Sequence, residues 1–225
     1  MSILSHAVSV SSDIIKHCID LKIPIDFLSY NGKPFATIMS PMSWTADIGI
    51  AQLEAYKNGK GINLAKNFVN GKIKNQINLI KYYNKYKKRK NCFSPDEFNN
   101  ALNTIEKYLS ELDDLNIKDE YDTIRNKIFS IEGRSAGIYW NFIKNVLSCN
   151  VEFNGRERKG AKDLVNSLLN YGYGILYSRV WNAINLAGLN PYISYLHTSQ
   201  PNKPTLYPSK SGKTDFSNID FKRKI

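Results

Sequence analysis

The feature that most constrains this chain is a helical pattern of apolar residues that continues, with short breaks, from residue 44 to residue 186. In the segment Ile62–Lys88 the apolar residues recur every three or four positions, which places them on one face of a helix. They are Ala65, Val69, Ile73, Ile77 and Ile80. Similar patterns predict helices over Trp44–Asn58, from Ser94 onward, over Tyr121–Leu147 and up to Leu186. The sequence therefore predicts a mainly α protein.

The N-terminal residues follow a different pattern. A short helix is predicted over residues 11–22, and it precedes two apolar runs, Pro24–Ser29 and Phe35–Met39. The dipeptide Asn31-Gly32 between these runs is typical of a tight hairpin turn. One helix and two strands bury little apolar surface, so we expect a small α/β piece that is not stable by itself.

The composition indicates a polyanionic partner and no membrane span. The 225 residues carry a formal net charge of +11, which favours nucleic acid or, second, an anionic membrane surface, although lysine-rich composition also accompanies AT-rich genomes. No apolar run approaches the roughly 20 residues that span a bilayer, and the N-terminus lacks a secretory signal, so a cytoplasmic protein is expected. The scattered Cys18, Cys92 and Cys149 suit neither a disulfide framework nor a zinc site.

Positive charge is concentrated on one predicted helix. Residues 66–90 contain nine Lys or Arg and no acid, whereas residues 91–122 contain nine Asp or Glu against two Lys. Five of the lysines fall within an arc of roughly 100° beside the apolar face: Lys66, Lys74, Lys81, Lys85 and Lys88. This lysine stripe could follow a DNA backbone, with Tyr82, Tyr83 and Tyr86 against sugars or bases. The alternative is a solvated helix whose charge is offset by the acidic segment after it.

A glutamate lies on the packed side of the helix predicted over Tyr121–Leu147. Glu132 is within roughly 50° of Ile128, Ala136 and Tyr139 on a helical wheel. Burying an unpaired carboxylate costs several kcal/mol, so a base, hydrogen bonds or a metal should neutralise it. The simplest alternative to a metal site is a pair with a nearby Lys or Arg at the edge of the core.

A basic joint runs directly into the N-terminus of the last predicted helix. Its cations are Arg156, Arg158, Lys159 and Lys162. Free N–H groups and the helix dipole favour phosphate at such an end, so the joint is a candidate contact with the DNA backbone. Asp163 and Asn166 follow in the first turns, and simple helix capping explains them equally well.

A histidine follows the end of the last helix. His197 is one of three histidines in the chain, and a lone histidine is usually structural. Together with Glu132 it suits Mg²⁺ or Mn²⁺, because imidazole and carboxylate both donate lone pairs to such ions. Two such residues are a weak signal by themselves.

Four segments resemble, in order and spacing, the helical catalytic domain of the CRISPR-associated integrase family. They are EGRSAGIYW, RKGAKDLVNSLLNYGYGILYS, GLNPYISYLHTS and QPNKPTL, and a less sharp likeness extends the match to about residues 1–206. The resemblance implies a small N-terminal β-hairpin and helix remnant before that helical domain. It divides the chain into a partial β-rich domain (1–42), a metal- and DNA-binding domain (43–206) and a divergent basic tail (207–225).

The resemblance also implies a function. It is that of a metal-dependent DNA endonuclease and integrase, in which a DNA 3′-hydroxyl attacks a phosphodiester and spacer DNA enters a CRISPR array. The family works as a homodimer with a small partner protein of ferredoxin-like fold. Glu132 and His197 match the first two metal ligands of the family. Asn166 and Tyr173 match polar positions near its site, and Arg156 and Arg158 match its basic approach to DNA.

The chain departs from the family at both ends. The third ligand of the family is an aspartate, and Ser209 stands at the matching position. Asp215 is a weak candidate for a substitute ligand. The family also has more β-strand before the part that matches Ser2–Ser12, so a chain truncated at both ends is expected. The alternative function is therefore a catalytically impaired fragment that binds DNA or a family member, and an unrelated basic helical module is a third possibility.

Overall fold

The computed structural model describes residues 1–4, 7–29, 34–40, 45–87, 94–116, 120–148, 151–157, 162–198 and 205–206. Its elements, in chain order, are β1 (Ser2–Ile3), α1 (Ser12–Asp20), β2 (Ile25–Leu28), β3 (Pro34–Ile38), α2 (Ala46–Lys57), α3 (Lys60–Lys87), α4 (Pro95–Asp113), α5 (Tyr121–Ser148) and α6 (Leu164–Leu186). The predicted mainly α fold with a small N-terminal β piece is confirmed. The hairpin turn predicted at Asn31-Gly32 lies outside the described residues.

Helix ends follow from local chemistry. Ser94 accepts a hydrogen bond at its Oγ from the Glu97 N–H (3.1 Å), and the Glu97 carboxylate accepts one from the Ser94 N–H (2.8 Å). This reciprocal capping box, with Pro95 next to it, satisfies N–H groups that the first turn of α4 leaves free. Gly59 has a φ of 75°, a conformation that glycine adopts without steric cost, and it separates α2 from α3.

By packing, the described residues form two units. Unit 1 is drawn from 1–54, 167–194 and 205–206, and unit 2 from 55–166 and 195–198. These packing units do not follow the domain boundaries predicted at residues 42 and 206. The predicted domains stay a prediction.

Unit 1 contains the sheet and most of α6. The strand order is β1-β2-β3, with β1 parallel to β2 and β2 antiparallel to β3. The two-residue strand β1 was not predicted, because so short a segment carries no periodicity. Thr37 of β3 donates to the buried Asp26 of β2 (2.9 Å), and the Trp181 indole of α6 donates to Thr37 (3.3 Å). These bonds attach α6 to the sheet.

Unit 2 is built on α3, α4 and α5. Lys66 and Lys81 of α3 contact Asp113 and Glu106 of α4, so α3 and α4 run antiparallel. The Phe98–Phe142 and Glu111–Arg134 contacts show the same for α4 and α5. Helices α3 and α5 are consequently parallel to each other. The core between the three helices includes Ile73, Ile80, Ile105, Ile128 and Val146, all fully buried.

Candidate metal and nucleic-acid site

Glu132 lies in the core of unit 2, as its position on the helical wheel predicts. Its side chain is 2% exposed, and the Nζ of Lys72 on α3 is 2.7 Å from its Oε1. A buried carboxylate needs a compensating charge, and the Lys72 ammonium provides one. Glu132 is therefore paired with a lysine, which is the alternative to a metal site that the sequence left open.

A second polar contact joins the same two helices one turn further along. The Ser135 hydroxyl donates to the Oε1 of Gln76 (2.8 Å), and both side chains are fully buried. The Nε2 of Gln76 has no hydrogen-bond partner among the described residues. Lys72, Gln76, Glu132 and Ser135 thus form a buried group, the α3–α5 polar cluster. A buried donor without an acceptor is rare in native cores and calls for an explanation.

Lys72 and Gln76 were not predicted as site residues, although the sequence contains a signal for them. On a helical wheel both lie within roughly 60° of Val69, inside the apolar face of α3 rather than in the lysine stripe. Polar residues at such positions must find partners in the core. Glu132 on α5 carries the same signal, but only the tertiary structure shows that the two helices bring these residues together.

His197 lies beside the turn of α5 that precedes Glu132. Its ring meets the ring of Phe129 edge-on, with 5.9 Å between the centroids. Phe129 is three residues before Glu132, a separation of about 4.5 Å along a helix axis. His197, which lies in the segment after α6, therefore contacts the turn of α5 that precedes Glu132, within unit 2.

Tyr195 anchors the segment that carries His197. The Tyr121 hydroxyl donates to the Tyr195 carbonyl (2.8 Å), and the Tyr195 ring lies 5.2 Å from the Tyr56 ring. Gly61 makes room for this ring, because a Cβ at that position would be 2.4 Å from Tyr195 Cδ1. Burial, and then the neighbouring Tyr56, raises the pKa of Tyr121 far above its ordinary value. Tyr121 therefore stays a hydrogen-bond donor at any physiological pH.

The chemistry of Glu132 and His197 fits a divalent cation. A carboxylate oxygen and an imidazole nitrogen are both donors for Mn²⁺, and a carboxylate buried in a core requires a cation beside it. The described residues contain no cluster of three His, Cys, Asp or Glu side chains. Ser209 and the weak candidate Asp215 lie outside the described residues. Within the described part of the chain, Glu132 and His197 are two residues of a suitable donor type, and metal binding by them stays a prediction.

The basic joint is held to the first turn of α6 by Asn166, which is fully buried. Its Oδ1 accepts from Arg156 Nη1 (3.0 Å) and the Glu157 N–H (2.8 Å), and its Nδ2 donates to the Gly155 carbonyl (2.8 Å). Asp163 accepts from both the backbone and the side-chain amide of Asn166, and these hydrogen bonds lower the Asp163 pKa. The capping role that the sequence left open is thus present, and contact of Asn166 with DNA stays a prediction.

The other predicted DNA contacts are distributed over both units. Lys162 is exposed, Tyr173 on α6 is half-buried, and Arg158 and Lys159 lie outside the described residues. In the lysine stripe, Lys66 Nζ donates to the Asp113 carbonyl (2.8 Å) and Lys81 pairs with Glu106 (3.0 Å). Helix α4 therefore offsets part of the positive charge of the lysine stripe, as expected for the alternative in which the following acidic segment compensates that charge. Lys74 and Lys85 are exposed, whereas Lys88 and the Tyr86 side chain lie outside the described part.

Comparison with known proteins decides the family. The model of the family described as CRISPR associated protein Cas1 matches residues 1–207. This chain belongs to the Cas1 family. The resemblance found in the sequence, to the CRISPR-associated integrase family, is thereby confirmed.

Individual Cas1 relatives show how much of the family the chain represents. It is 33% identical over 204 residues to a CRISPR-associated endonuclease Cas1 of Archaeoglobus fulgidus, covering 88% of this chain and 59% of that protein. The chain thus spans less than two thirds of that relative's length.

Solved structures share the Cas1 fold. A Cas1 protein from Thermotoga maritima superposes with a TM-score of 0.61 at 21% identity, covering 88% of this chain and 58% of that one. A casposase bound to its integration product gives a TM-score of 0.58 at 24% identity, covering 91% and 57%. Among the described residues, no helix is long and apolar enough to cross a membrane.

Proposed function

We propose that this chain is a divalent-metal-dependent DNA endonuclease and integrase, which joins a 3′-hydroxyl of captured DNA to a phosphodiester of a CRISPR array. The observation that carries the proposal is the position of Glu132. It is a fully buried carboxylate in the Cas1-matching segment, one turn from the residue that contacts His197. Membership of the Cas1 family and the endonuclease name of the Archaeoglobus relative support this reaction class.

The residues of the chain would act by holding groups in place. Glu132 and His197 would bind Mg²⁺ or Mn²⁺, and a bound ion of this kind stabilises charge on a reacting phosphate. Glu132 packs against Lys72 of α3, and Tyr195, two residues before His197, packs against Tyr56 and Gly61, so both proposed ligands would be held in place before DNA binds. Such preorganisation lowers the cost of reaching the reactive geometry. The nucleophile belongs to the DNA.

The DNA backbone would contact the exposed cations. Lys74 and Lys85 of α3 and Lys162 before α6 are exposed, and the net charge of +11 favours a polyanion. Lys81 would have to exchange Glu106 for phosphate, which is easy for a half-exposed pair. A homodimer and a small ferredoxin-like partner protein complete the proposed assembly, on the strength of the family resemblance.

The test is strand transfer on branched DNA in Mn²⁺, with Glu132→Gln and His197→Ala compared with the unchanged protein. Glutamine keeps the shape of Glu132 and a hydrogen-bond acceptor for Lys72, but it removes the counter-charge of that buried ammonium group. The melting temperature of each variant is therefore measured beside the rate, so that loss of folding is distinguished from loss of activity. We expect losses of about 100-fold or more, because single preorganised groups often contribute 10²–10³ to a rate. Asp122→Asn, at an exposed carboxylate of α5, and His17→Ala, at the exposed end of α1, are matched controls that should retain the rate. Equal rates in all five proteins would refute the proposal.

A second candidate function rests on the Lys72–Glu132 pair together with Ser209. A carboxylate already neutralised by lysine, in a chain without the family's aspartate at position 209, suits a catalytically impaired member that binds DNA or a full-length relative. Such a protein would bind branched DNA equally well in Mn²⁺ and in EDTA and would yield no joined product. Filter binding under both conditions, beside the strand-transfer assay, separates the two functions.

A further inference from the structure

The Lys72 ammonium group contacts the Glu132 carboxylate, which would have to be free to bind a metal ion. Both side chains are buried, at 6% and 2% exposure, and Nζ is 2.7 Å from Oε1. A divalent ion binds a carboxylate oxygen at about 2.0–2.2 Å. An ammonium group in contact with the same carboxylate would repel that ion strongly in a buried setting, where charges are poorly screened. The carboxylate therefore cannot bind both cations at full strength.

We infer that Lys72 is the counter-cation of Glu132 in the metal-free protein, and that metal binding proceeds by exchange of this ammonium group for the divalent ion. The inference rests on the proposed function, because it concerns the same metal site. Lysine suits the role, since its four-carbon stem is flexible and its ammonium group is a single compact charge. Lys72 is thus a positioning residue: it holds the buried Glu132 carboxylate in place while no metal is bound.

The surroundings of the pair support an exchangeable arrangement. The neighbouring Gln76 leaves its buried Nε2 without a hydrogen-bond partner among the described residues. A polar cluster kept only for stability would satisfy every donor, because each unpaired one costs free energy. The α3–α5 polar cluster instead retains an unpaired donor, the Gln76 Nε2, beside the Lys72–Glu132 ion pair. An unpaired donor at this place leaves room for the cluster to rearrange when Lys72 and a metal ion exchange.

The experiment uses the full chain and measures two quantities for each variant: the Mn²⁺ dissociation constant, by calorimetry, and the melting temperature without metal. Lys72→Met removes the charge and keeps the length of the side chain. We expect it to melt at a lower temperature and yet to bind Mn²⁺ about tenfold more tightly, because the competing cation is gone. A residue with a merely structural role would weaken both properties when replaced.

Two variants serve as controls. Ser135→Ala disturbs the neighbouring contact in the same interface, so it should lower the melting temperature without tightening Mn²⁺ binding. Lys72→Arg keeps the charge and should bind Mn²⁺ no more tightly than the unchanged protein. It also keeps the inference testable if Lys72→Met fails to fold, because tighter Mn²⁺ binding by Lys72→Arg would overturn the exchange.

Glu132→Gln separates this inference from the proposed function. If Glu132→Gln abolishes Mn²⁺ binding while Lys72→Met binds as the unchanged protein does, or more weakly, the exchange is overturned and the metal site stands. If Mn²⁺ binding is the same in the unchanged protein, Lys72→Met and Glu132→Gln, Glu132 is not a ligand, and both proposals are overturned.

Discussion

Two lysine–glutamate pairs of α3 have the same chemistry and opposite surroundings. Lys72 and Glu132 are almost completely buried between α3 and α5, whereas Lys81 and Glu106 are 52% and 44% exposed between α3 and α4. The N–O distances are nearly equal, at 2.7 Å and 3.0 Å. Burial decides what each pair does, because removing one partner of a buried pair leaves an unsolvated charge and water compensates at the surface. Helix α3 thus has one face suited to a reaction site and another suited to reversible contact with phosphate.

The largest expected effect comes from breaking the buried pair. Lys72→Met should lower the free energy of unfolding by about 3–5 kcal/mol, because it leaves the Glu132 carboxyl group buried without its partner. Replacing both partners, as Lys72→Met with Glu132→Leu, should restore much of that loss, since a well-packed apolar pair often equals a buried ion pair in stability. Urea unfolding in EDTA measures both. A loss below about 1 kcal/mol for Lys72→Met would mean that Glu132 is solvated.

A smaller effect is expected where the histidine segment packs on α3. Gly61→Ala should lower the free energy of unfolding by about 1–3 kcal/mol, because its Cβ would meet the Tyr195 ring at 2.4 Å and the Ala55 carbonyl at 3.0 Å. Gly71 of the same helix has nothing within 4 Å, so Gly71→Ala should raise stability by up to about 1 kcal/mol. Thermal unfolding of the two variants should therefore shift in opposite directions, and equal shifts would disprove the packing of Tyr195.

Breaking the exposed pair should change stability little and DNA binding measurably. Lys81→Ala is expected to alter the free energy of unfolding by less than about 1 kcal/mol. If Lys74, Lys81 and Lys85 contact phosphates, neutralising all three should lessen the slope of log K against log salt by up to about 3. Fluorescence anisotropy with duplex DNA at several salt concentrations measures the slope. An unchanged slope would assign the lysine stripe to solvent or to protein contacts.

The smallest effect concerns acid stability at the start of α6. Hydrogen bonds from Asn166 lower the pKa of Asp163 in the folded protein, so the folded state binds its proton less readily than the unfolded state does. This contribution to stability is present above the ordinary carboxyl range and is lost as the pH falls through the lowered pKa. Asp163→Asn should therefore reduce the acid sensitivity of unfolding slightly. A variant that gains acid sensitivity would contradict the assignment.

Most of the fold was predictable because its signals are local. The apolar residues of α3 recur every three or four positions, and the capping box at Ser94 involves residues three positions apart. The structure places the ends of α3 and the start of α4 within two residues of the prediction. The short strand β1 was missed because two residues carry no periodicity and because its partner strand, which contains Asp26, is distant in sequence.

The site was only partly predictable, since its decisive contacts join distant residues. The wheel position of Glu132 predicted a buried carboxylate that needs a cation, but identifying Lys72 as that cation requires knowing that α3 and α5 are neighbours. Tyr195 likewise packs against Tyr56 and Gly61 and accepts a hydrogen bond from Tyr121. These residues are too far from Tyr195 in the sequence for a local pattern to predict the contacts.

The central claim is that Glu132 is the carboxylate of a working Cas1 site, although Lys72 covers it in the metal-free protein. A single-turnover assay tests it most directly, with branched DNA whose free strand ends in a 3′-hydroxyl or in a blocked 3′ end, incubated in Mn²⁺ with the unchanged protein or with Glu132→Gln. A joined product is expected only with the unchanged protein and the 3′-hydroxyl. An equal yield of product with Glu132→Gln would contradict it.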